Sequence, residues 1–583
     1  MKRASGILLP IASLPSKYGI GCFSKEAYDF VDKLKEAGQS YWQILPLSPT
    51  SYGDSPYQSF SSFAGNPYFI DLEALIEEGV LTEEECAACD FGDDPAKVDY
   101  GKIYEERFPL LHLAYERSNI AQNPDFIRFV QENADWLEDY ALFMAVKLRF
   151  DGAAWEEWAE DIKKRWDYSM DYYRRECYFD IEFYKYLQYE FHVQWEKLKK
   201  YANKNGIQFI GDIPIYVAFD SSDAWAHPEM FQFDADFQPI AVAGCPPDAF
   251  SATGQLWGNP LYKWDYHRQT DFRWWCQRLD HCFKLYDVVR IDHFRGFDEY
   301  YSIPFGDETA ERGHWEKGPG MELFHALRRR LGDKEIIAED LGFLTDSVVQ
   351  LLKDSGYPGM KVLEFAFDPR EETDYLPHSY DRNCVVYTGT HDNETLVQWY
   401  KGLDQESKAF AAEYMDNAST PDDEKYWDFV RMAMMSSANT CVIPVQDYLG
   451  LDAEARINHP STLGGNWEWR MSADMLDDAA IEKIYRLTRI SSRLSEAKQR
   501  EENEKKELKL KKEREEKEAL EKAEKEVLEK AKEEASEKAQ KEKKAPEKAE
   551  GAAGTKDKKA AAKEQEEISG KGTGKAEAPK QEK

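Results

Sequence analysis

Short apolar runs, many of them β-branched, recur along the chain with long amphipathic or irregular stretches between them. Eight stand out, at residues 6–11, 41–47, 207–213, 288–292, 335–339, 360–367, 384–387 and 441–445. Runs that are apolar on both faces and separated by helix-length segments are the pattern of parallel strands covered by helices. Eight of them predict an α/β protein of the (β/α)8 TIM-barrel class. No repeat of solenoid or propeller length shows in the sequence, which disfavours those architectures.

The spacing is uneven. About residues 48–207 separate the second run from the third, too long for a loop, with helical periodicity over 135–150 and 181–204. This predicts an inserted, mostly helical subdomain with a core of its own. A second insertion, about 214–286, is rich in Pro, Gly and aromatics and predicts a lid or rim above the barrel. From residue 496 the pattern stops: the chain is Glu/Lys/Ala-rich, then Gly/Ala/Lys-rich past Pro546, without a Phe, Tyr or Trp. Such a segment cannot bury a core. Its i,i+4 Glu/Lys pairs favour an exposed helix over 496–545, and Leu508, Leu510, Leu520, Val527 and Leu528 are too sparse for sustained heptads. The expected organisation is a barrel over 1–495 carrying both insertions, and a tail over 496–583, disordered or a single exposed helix, whose partner the sequence leaves open.

Charge narrows the function. Residues 1–495 hold 50 Lys/Arg against 85 Asp/Glu, whereas the tail holds 26 against 25. A body that acidic repels phosphate, so neither nucleic acid nor an anionic membrane is expected as partner, and neutral substrates are favoured. Gly6, Pro10 and Pro15 break the first apolar run well short of a spanning length, so it reads as a strand and not a signal peptide. Nine cysteines without regular spacing fit a reducing compartment, and a cytoplasmic protein is expected. Cys86 and Cys89 form a lone C-x-x-C with no second pair to complete a zinc site, and read as a surface-helix feature. Neither a metal nor an organic cofactor is implied, since no oxygen-ligand loop or phosphate-cradling glycine motif is present.

Barrel enzymes carry their reactive groups at the C-terminal ends of strands. In Val-Val-Arg-Ile-Asp-His (288–293), alternation puts Arg290 and Asp292 on one face and Val289 and Ile291 on the other, so that Arg290 can hold Asp292 ionised, as a nucleophile requires. Glu339 shares a face with Ile337 at the end of the fifth run, Asp392 follows the seventh, and Asp212 ends the third. One such acid in so acidic a chain would read as a surface charge. Acids converging from several strands in a neutral-substrate protein point to glycosidic chemistry, in which one carboxylate lies beneath the sugar and one protonated acid at the leaving oxygen. Tyr57, after the second run, and the loop carrying Gln255, Trp257 and Asn259 offer rings for sugar faces and amides for hydroxyls.

The stretches GILLPIASLPSKYGIGCF, LPLSPTSYGDSPYQSFSSFAGNPYFIDL, GDIPIYV, PPDAFSATGQLWGNPLY, RIDHFRGF, AEDLG, GTHDNET and NHPSTLGGNWEWR resemble, in order, those of the amylomaltases, 4-α-glucanotransferases of the α-amylase clan. The resemblance runs from about residue 6 to about residue 494, and the tail matches nothing in it. It implies Asp292 as nucleophile, Glu339 as acid/base and Asp392 as transition-state stabiliser. It further implies that Arg290, His391, Asp212, Tyr57, Gln255, Trp257, His293 and Asn259 bind substrate, with Gln255 and Trp257 on the acceptor side. Its substrates would be α-1,4-glucans and maltooligosaccharides, handled by a retaining double displacement onto a glucan 4-hydroxyl. The residue types alone serve an α-glucan hydrolase equally well, and a non-catalytic glucan-binding protein is the remaining alternative.

Overall fold

The computed structural model describes residues 1–51, 53–247, 251–342 and 344–543. Twelve strands form among them: β1 (Ala4–Leu8), β2 (Tyr41–Gln43), β3 (Gln208–Pro214), β4 (Ala241–Cys245), β5 (Gln255–Pro260), β6 (Val288–Asp292), β7 (Glu299–Pro304), β8 (His314–Lys317), β9 (Ile336–Ala338), β10 (Gly359–Val362), β11 (Cys384–Tyr387) and β12 (Thr440–Pro444). Eight of them pair in parallel in the order β10-β11-β12-β1-β2-β3-β6-β9, a (β/α)8 barrel in which each of the eight apolar runs supplies one strand. Alternation divides each strand between two cores. Leu8, Ile210, Val288, Ile337, Val385 and Val442 fill the barrel, whereas Ile7, Phe209, Val289, Ile291, Val386 and Ile443 face the surrounding helices.

The seam between β9 and β10 is closed by a side chain as well as by backbone. Ala338 N–H donates to Pro358 O at 3.0 Å, and the Asp340 carboxylate accepts the Met360 N–H at 2.6 Å. Gly359 makes room for this: a Cβ there would stand 2.4 Å from Asp340 Oδ2. Strand ends differ from the apolar runs. The run at 360–367 leaves the ladder at Val362 and turns into a 3-10 segment, Leu363–Phe365, and the first run pairs only to Leu8. Apolar character marks burial, and the chain stays buried after it stops pairing.

The first covering helix, Lys25–Glu36, buries Ala27, Phe30, Val31 and Leu34 at helical spacing, each large side chain worth about 1.5–3 kcal/mol in transfer terms. It stops at Gly38, whose φ of +74° is the left-handed geometry of a helix C-terminus. Eight α-helices lie between β2 and β3, ending with the 27-residue Tyr178–Lys204, which packs on Lys25–Glu36. Cys86 is buried at the end of the short helix Glu83–Ala87, not at the surface as its sequence setting suggests.

Within about 214–286 lie β4 and β5, which join β7 and β8 in an antiparallel sheet of order β5-β4-β7-β8. Loops after β3 and after β6 thus build one structure. A helix spans Glu496–Glu542 and buries none of its residues. The chain divides into two units, Met1–Asn503 and Glu504–Lys583, of which 544–583 lie outside the described residues. Among the described residues no helix is long and apolar enough to cross a membrane.

Candidate active site

Strand β6 delivers Arg290 and Asp292 into the barrel mouth, and β3 delivers Asp212 beside them through the register pair Asp212–Arg290. Arg290 Nη1 donates to both Asp212 oxygens, at 2.8 and 2.7 Å, and lies 3.1 Å from Asp292 Oδ1. Asp212 also accepts the Tyr57 hydroxyl at 2.9 Å. With no surface exposed, Asp212 acts on Arg290 and Tyr57. Both oxygens of this carboxylate, expected to meet sugar hydroxyls, are taken by protein donors in the structure.

After Asp292 the chain turns sharply at His293, whose φ of +55° is left-handed, a conformation costing a non-glycine residue about 1–2 kcal/mol. The turn aims the His293 N–H at Glu339 Oε2, 2.7 Å away, while Leu341 N–H holds Oε1 at 2.8 Å. Strain here fixes the orientation of a reactive carboxyl, as strained residues at functional sites do. The Trp257 indole meets the His293 ring edge-on, centroids 4.8 Å apart, and Trp257 Nε1–H donates to Gln255 Oε1 at 3.1 Å. Asn259 is buried, donating to Val217 O at 2.8 Å and accepting from Gln58 Nε2 at 3.4 Å. Its amide, expected to meet a sugar hydroxyl, has these two protein partners in the structure.

The loop after β11 brings the third acid. Asp392 Oδ2 lies 3.3 Å from His391 Nε2, and Oδ1 accepts from Asn458 Nδ2 at 2.7 Å. The His391 ring stacks on Tyr57 at 5.1 Å with 16° between planes, which ties the Asp392 side of the site to the Asp212 side. Asp292, Arg290, Tyr57, His391 and Asp392 are linked through one set of these contacts and Glu339, His293 and Trp257 through another, and the chain joins the two sets at Asp292–His293.

Electrostatics separate the acids. Burial pushes Glu339 up to about 7, reinforced by the neighbouring charge of Asp292 and opposed by Arg290 and the two backbone N–H groups. Burial also raises Asp292, with Asp212 and Asp392 adding to the effect and Arg290 opposing it most strongly. The sequence assigns Arg290 chiefly to Asp292. In the structure Arg290 is shared with Asp212, so Asp292 remains above an ordinary carboxyl. Burial would raise Asp392 too, but His391 and Asn458 outweigh it and hold the carboxyl below its usual range. One site therefore holds two carboxyls raised by burial and by neighbouring carboxylates, and a third held low by a histidine and an amide.

Three contributors escaped sequence reasoning in their roles. Asn458, which bonds Asp392, and Trp467, whose ring centroid lies 5.9 Å from that of Tyr57 and 6.0 Å from that of His391, lie in a stretch noted for resemblance alone. Asp447 lies three residues beyond β12, where the strand-end rule directs attention, and its carboxylate brackets the catalytic loop: Oδ2 accepts from Thr388 Oγ1 at 2.5 Å and Oδ1 from Leu396 N–H at 2.8 Å. An Asp447→Asn variant places an NH2 against one of those donors. We expect kcat to fall about 10- to 100-fold through displacement of Asp392, with KM for donor nearly unchanged, as initial rates would report.

Comparison with known proteins adds a family. Residues 9–477 match the family described as 4-alpha-glucanotransferase. A 4-alpha-glucanotransferase of Clostridium butyricum is 49% identical over 486 residues, 83% of this chain and 99% of that one. One from Streptococcus pneumoniae serotype 4 is 49% identical over 503 residues, 85% and 98% of the two chains. The solved amylomaltase of Streptococcus agalactiae in complex with acarbose superposes with a TM-score of 0.81 at 43% identity, covering 84% of this chain and all of that one.

Proposed function

As the chain belongs to the 4-alpha-glucanotransferase family and is a glycosyltransferase of that activity, we propose that it acts on α-1,4-glucans and maltooligosaccharides by a retaining double displacement at Asp292. An Asp292 oxygen attacks the anomeric carbon while Glu339 passes its proton to the glycosidic oxygen. The bond from C1 to that oxygen breaks, and the reducing-end portion leaves with a free 4-hydroxyl. The remaining chain is then an ester of Asp292. In the second half an acceptor 4-hydroxyl gives its proton to Glu339 and attacks C1, releasing Asp292 with the α configuration restored.

The supporting observation is the pair of buried carboxyls in different settings: Glu339 held by two backbone N–H donors at 2.7 and 2.8 Å, and Asp292 3.1 Å from the Arg290 guanidinium, both raised by burial. Asp392, kept ionised by His391 and Asn458, stabilises the positive charge that develops on the sugar. Tyr57 and Trp257 offer ring surface to the glucan, and an acceptor stacked there competes with water for the ester. A cytoplasmic setting is consistent with nine free thiols.

Two measurements test this reading. With maltotriose alone, glucose and longer oligomers should appear at constant total reducing ends; rising reducing ends without longer products would mean hydrolysis. The pH profile of kcat/KM should be bell-shaped. Asp292 is inactive while protonated, so the rate rises with pH through about 6, and Glu339 is inactive once deprotonated, so it falls above about 7, both limbs belonging to the pair jointly. A flat profile from pH 5 to 9 would contradict these roles.

A further inference from the structure

The loop that carries His391 and Asp392 rests on a buried carboxyl with no part in the double displacement. Glu364 lies just past β10 in the 3-10 segment Leu363–Phe365, 8% exposed. Its N–H donates to Thr388 O at 3.2 Å, which ties the end of β10 to the start of the loop. Its side chain packs against Gly389: a Cβ added there would stand 2.8 Å from Glu364 Oε1 and 3.1 Å from Asn393 Cβ. Glu364, Gly389 and Asn393 thus meet at one point.

Beyond that point the loop holds itself together. Asn393 Oδ1 accepts from Thr390 N–H at 3.0 Å and from Thr390 Oγ1 at 2.8 Å, and that hydroxyl oxygen accepts the Asp392 N–H at 3.2 Å. The segment bearing Asp392 is therefore one hydrogen-bonded piece, and its place over the barrel depends on what supports Gly389 and Asn393.

The charges around Glu364 decide which form of it fits. Oε1 is enclosed and has no hydrogen-bond partner among the described residues. Two acids face the carboxyl, Asp447 from the helix Val445–Leu449 and Glu394 from the loop itself, and one cation, Arg456. Arg456 is engaged elsewhere, 3.3 Å from Glu394 Oε1 and donating to Asn458 O at 2.8 Å and Asp392 O at 3.3 Å. An ionised carboxylate enclosed beside two others, with one oxygen lacking a donor, would cost far more than the neutral acid. Burial, with Asp447 and Glu394 adding to it and Asn393 and Arg456 opposing it, accordingly pushes the carboxyl well above its usual range.

We propose that Glu364 is a positioning residue for Asp392: as an uncharged carboxyl it fills the space against Gly389 and holds the loop where Asp392 meets the reacting sugar. This rests on the proposed transfer reaction.

Glu364→Ala and Glu364→Gln test it in the full-length chain, by initial rates with maltotriose and by thermal unfolding from pH 5 to 8. Alanine removes the support and should lower kcat about 10- to 100-fold with KM within about twofold, since the reacting geometry is disturbed and the sugar-binding surface is not. Glutamine, neutral and of the same shape, should keep kcat within about threefold of the parent. It should also raise the unfolding temperature, by a margin that widens from pH 5 to 8. The parent must keep a proton on a buried acid that the unfolded chain sheds above about pH 4.3, and the amide has none to keep. Glutamine as damaging as alanine, a margin that shrinks as pH rises, or parental kcat with alanine would each overturn the proposal. Should the alanine variant fail to fold, the glutamine rates and their companion unfolding series decide alone. Absence of transfer in the parent would instead strike the reaction assignment itself.

Discussion

Asp292→Asn should lower kcat for glucan transfer by at least about 10⁴-fold, the scale on which removal of a nucleophile acts, while leaving maltooligosaccharide affinity close to that of the parent. The amide matches the carboxylate in shape but cannot form the glycosyl ester. The surroundings are built to tolerate the change in charge. Arg290 remains paired with Asp212 through both oxygens, so losing the 3.1 Å contact to Asp292 strands no buried guanidinium. Near-parental binding measured by calorimetry with maltotetraose, alongside the lost turnover, would separate a chemical from a structural defect. Turnover within about tenfold of the parent would remove Asp292 from the nucleophile's role.

Glu339→Gln should cost about 10²–10⁴-fold with natural glucans, the range of general acid–base contributions, and far less in the first half-reaction of a glucosyl fluoride donor. Fluoride leaves without a proton, so the missing acid matters little until an acceptor must be deprotonated. The variant should also lose the alkaline limb of the pH profile, because the group raised to about 7 is gone. Equal losses for glucan and fluoride donors in single-turnover rates would place Glu339 outside the proton path. Gln at this position accepts the His293 and Leu341 N–H groups with only one oxygen, so a modest fall in thermal stability, about 1–3 kcal/mol at most, should accompany the change.

How far the sequence reveals this site depends on how local each signal is. Val288–Asp292 is legible because strand alternation alone sends Arg290 and Asp292 inward, and the structure seats Val289 and Ile291 against the helices accordingly. In the adjacent acids that close and follow the fifth run, the same alternation separates Glu339, which accepts from His293 and Leu341, from Asp340, which seals the seam to β10. The antiparallel sheet of β4, β5, β7 and β8 escapes such reading, since its strands come from two different βα loops and its pairing is settled only when those loops meet over the barrel. Asp447 escapes for a related reason: it acts through a loop some fifty residues earlier, by accepting hydrogen bonds at both ends of the segment that carries His391 and Asp392. Burial hides direct roles as well. Asp212 and Asn259 look like sugar ligands by residue type, and the sequence does not show that both are enclosed and bonded to protein partners.

The most direct test of covalent catalysis at Asp292 is to mix the Glu339→Gln variant with α-maltosyl fluoride, quench with acid and map the peptides by mass spectrometry. The donor can glycosylate the enzyme without an acid, and the variant lacks the base that would activate an acceptor, so the ester should accumulate. A single maltosyl group on the peptide carrying Asp292 is the expected result. An adduct on another carboxylate, or steady consumption of the fluoride with no adduct, would contradict a double displacement through Asp292.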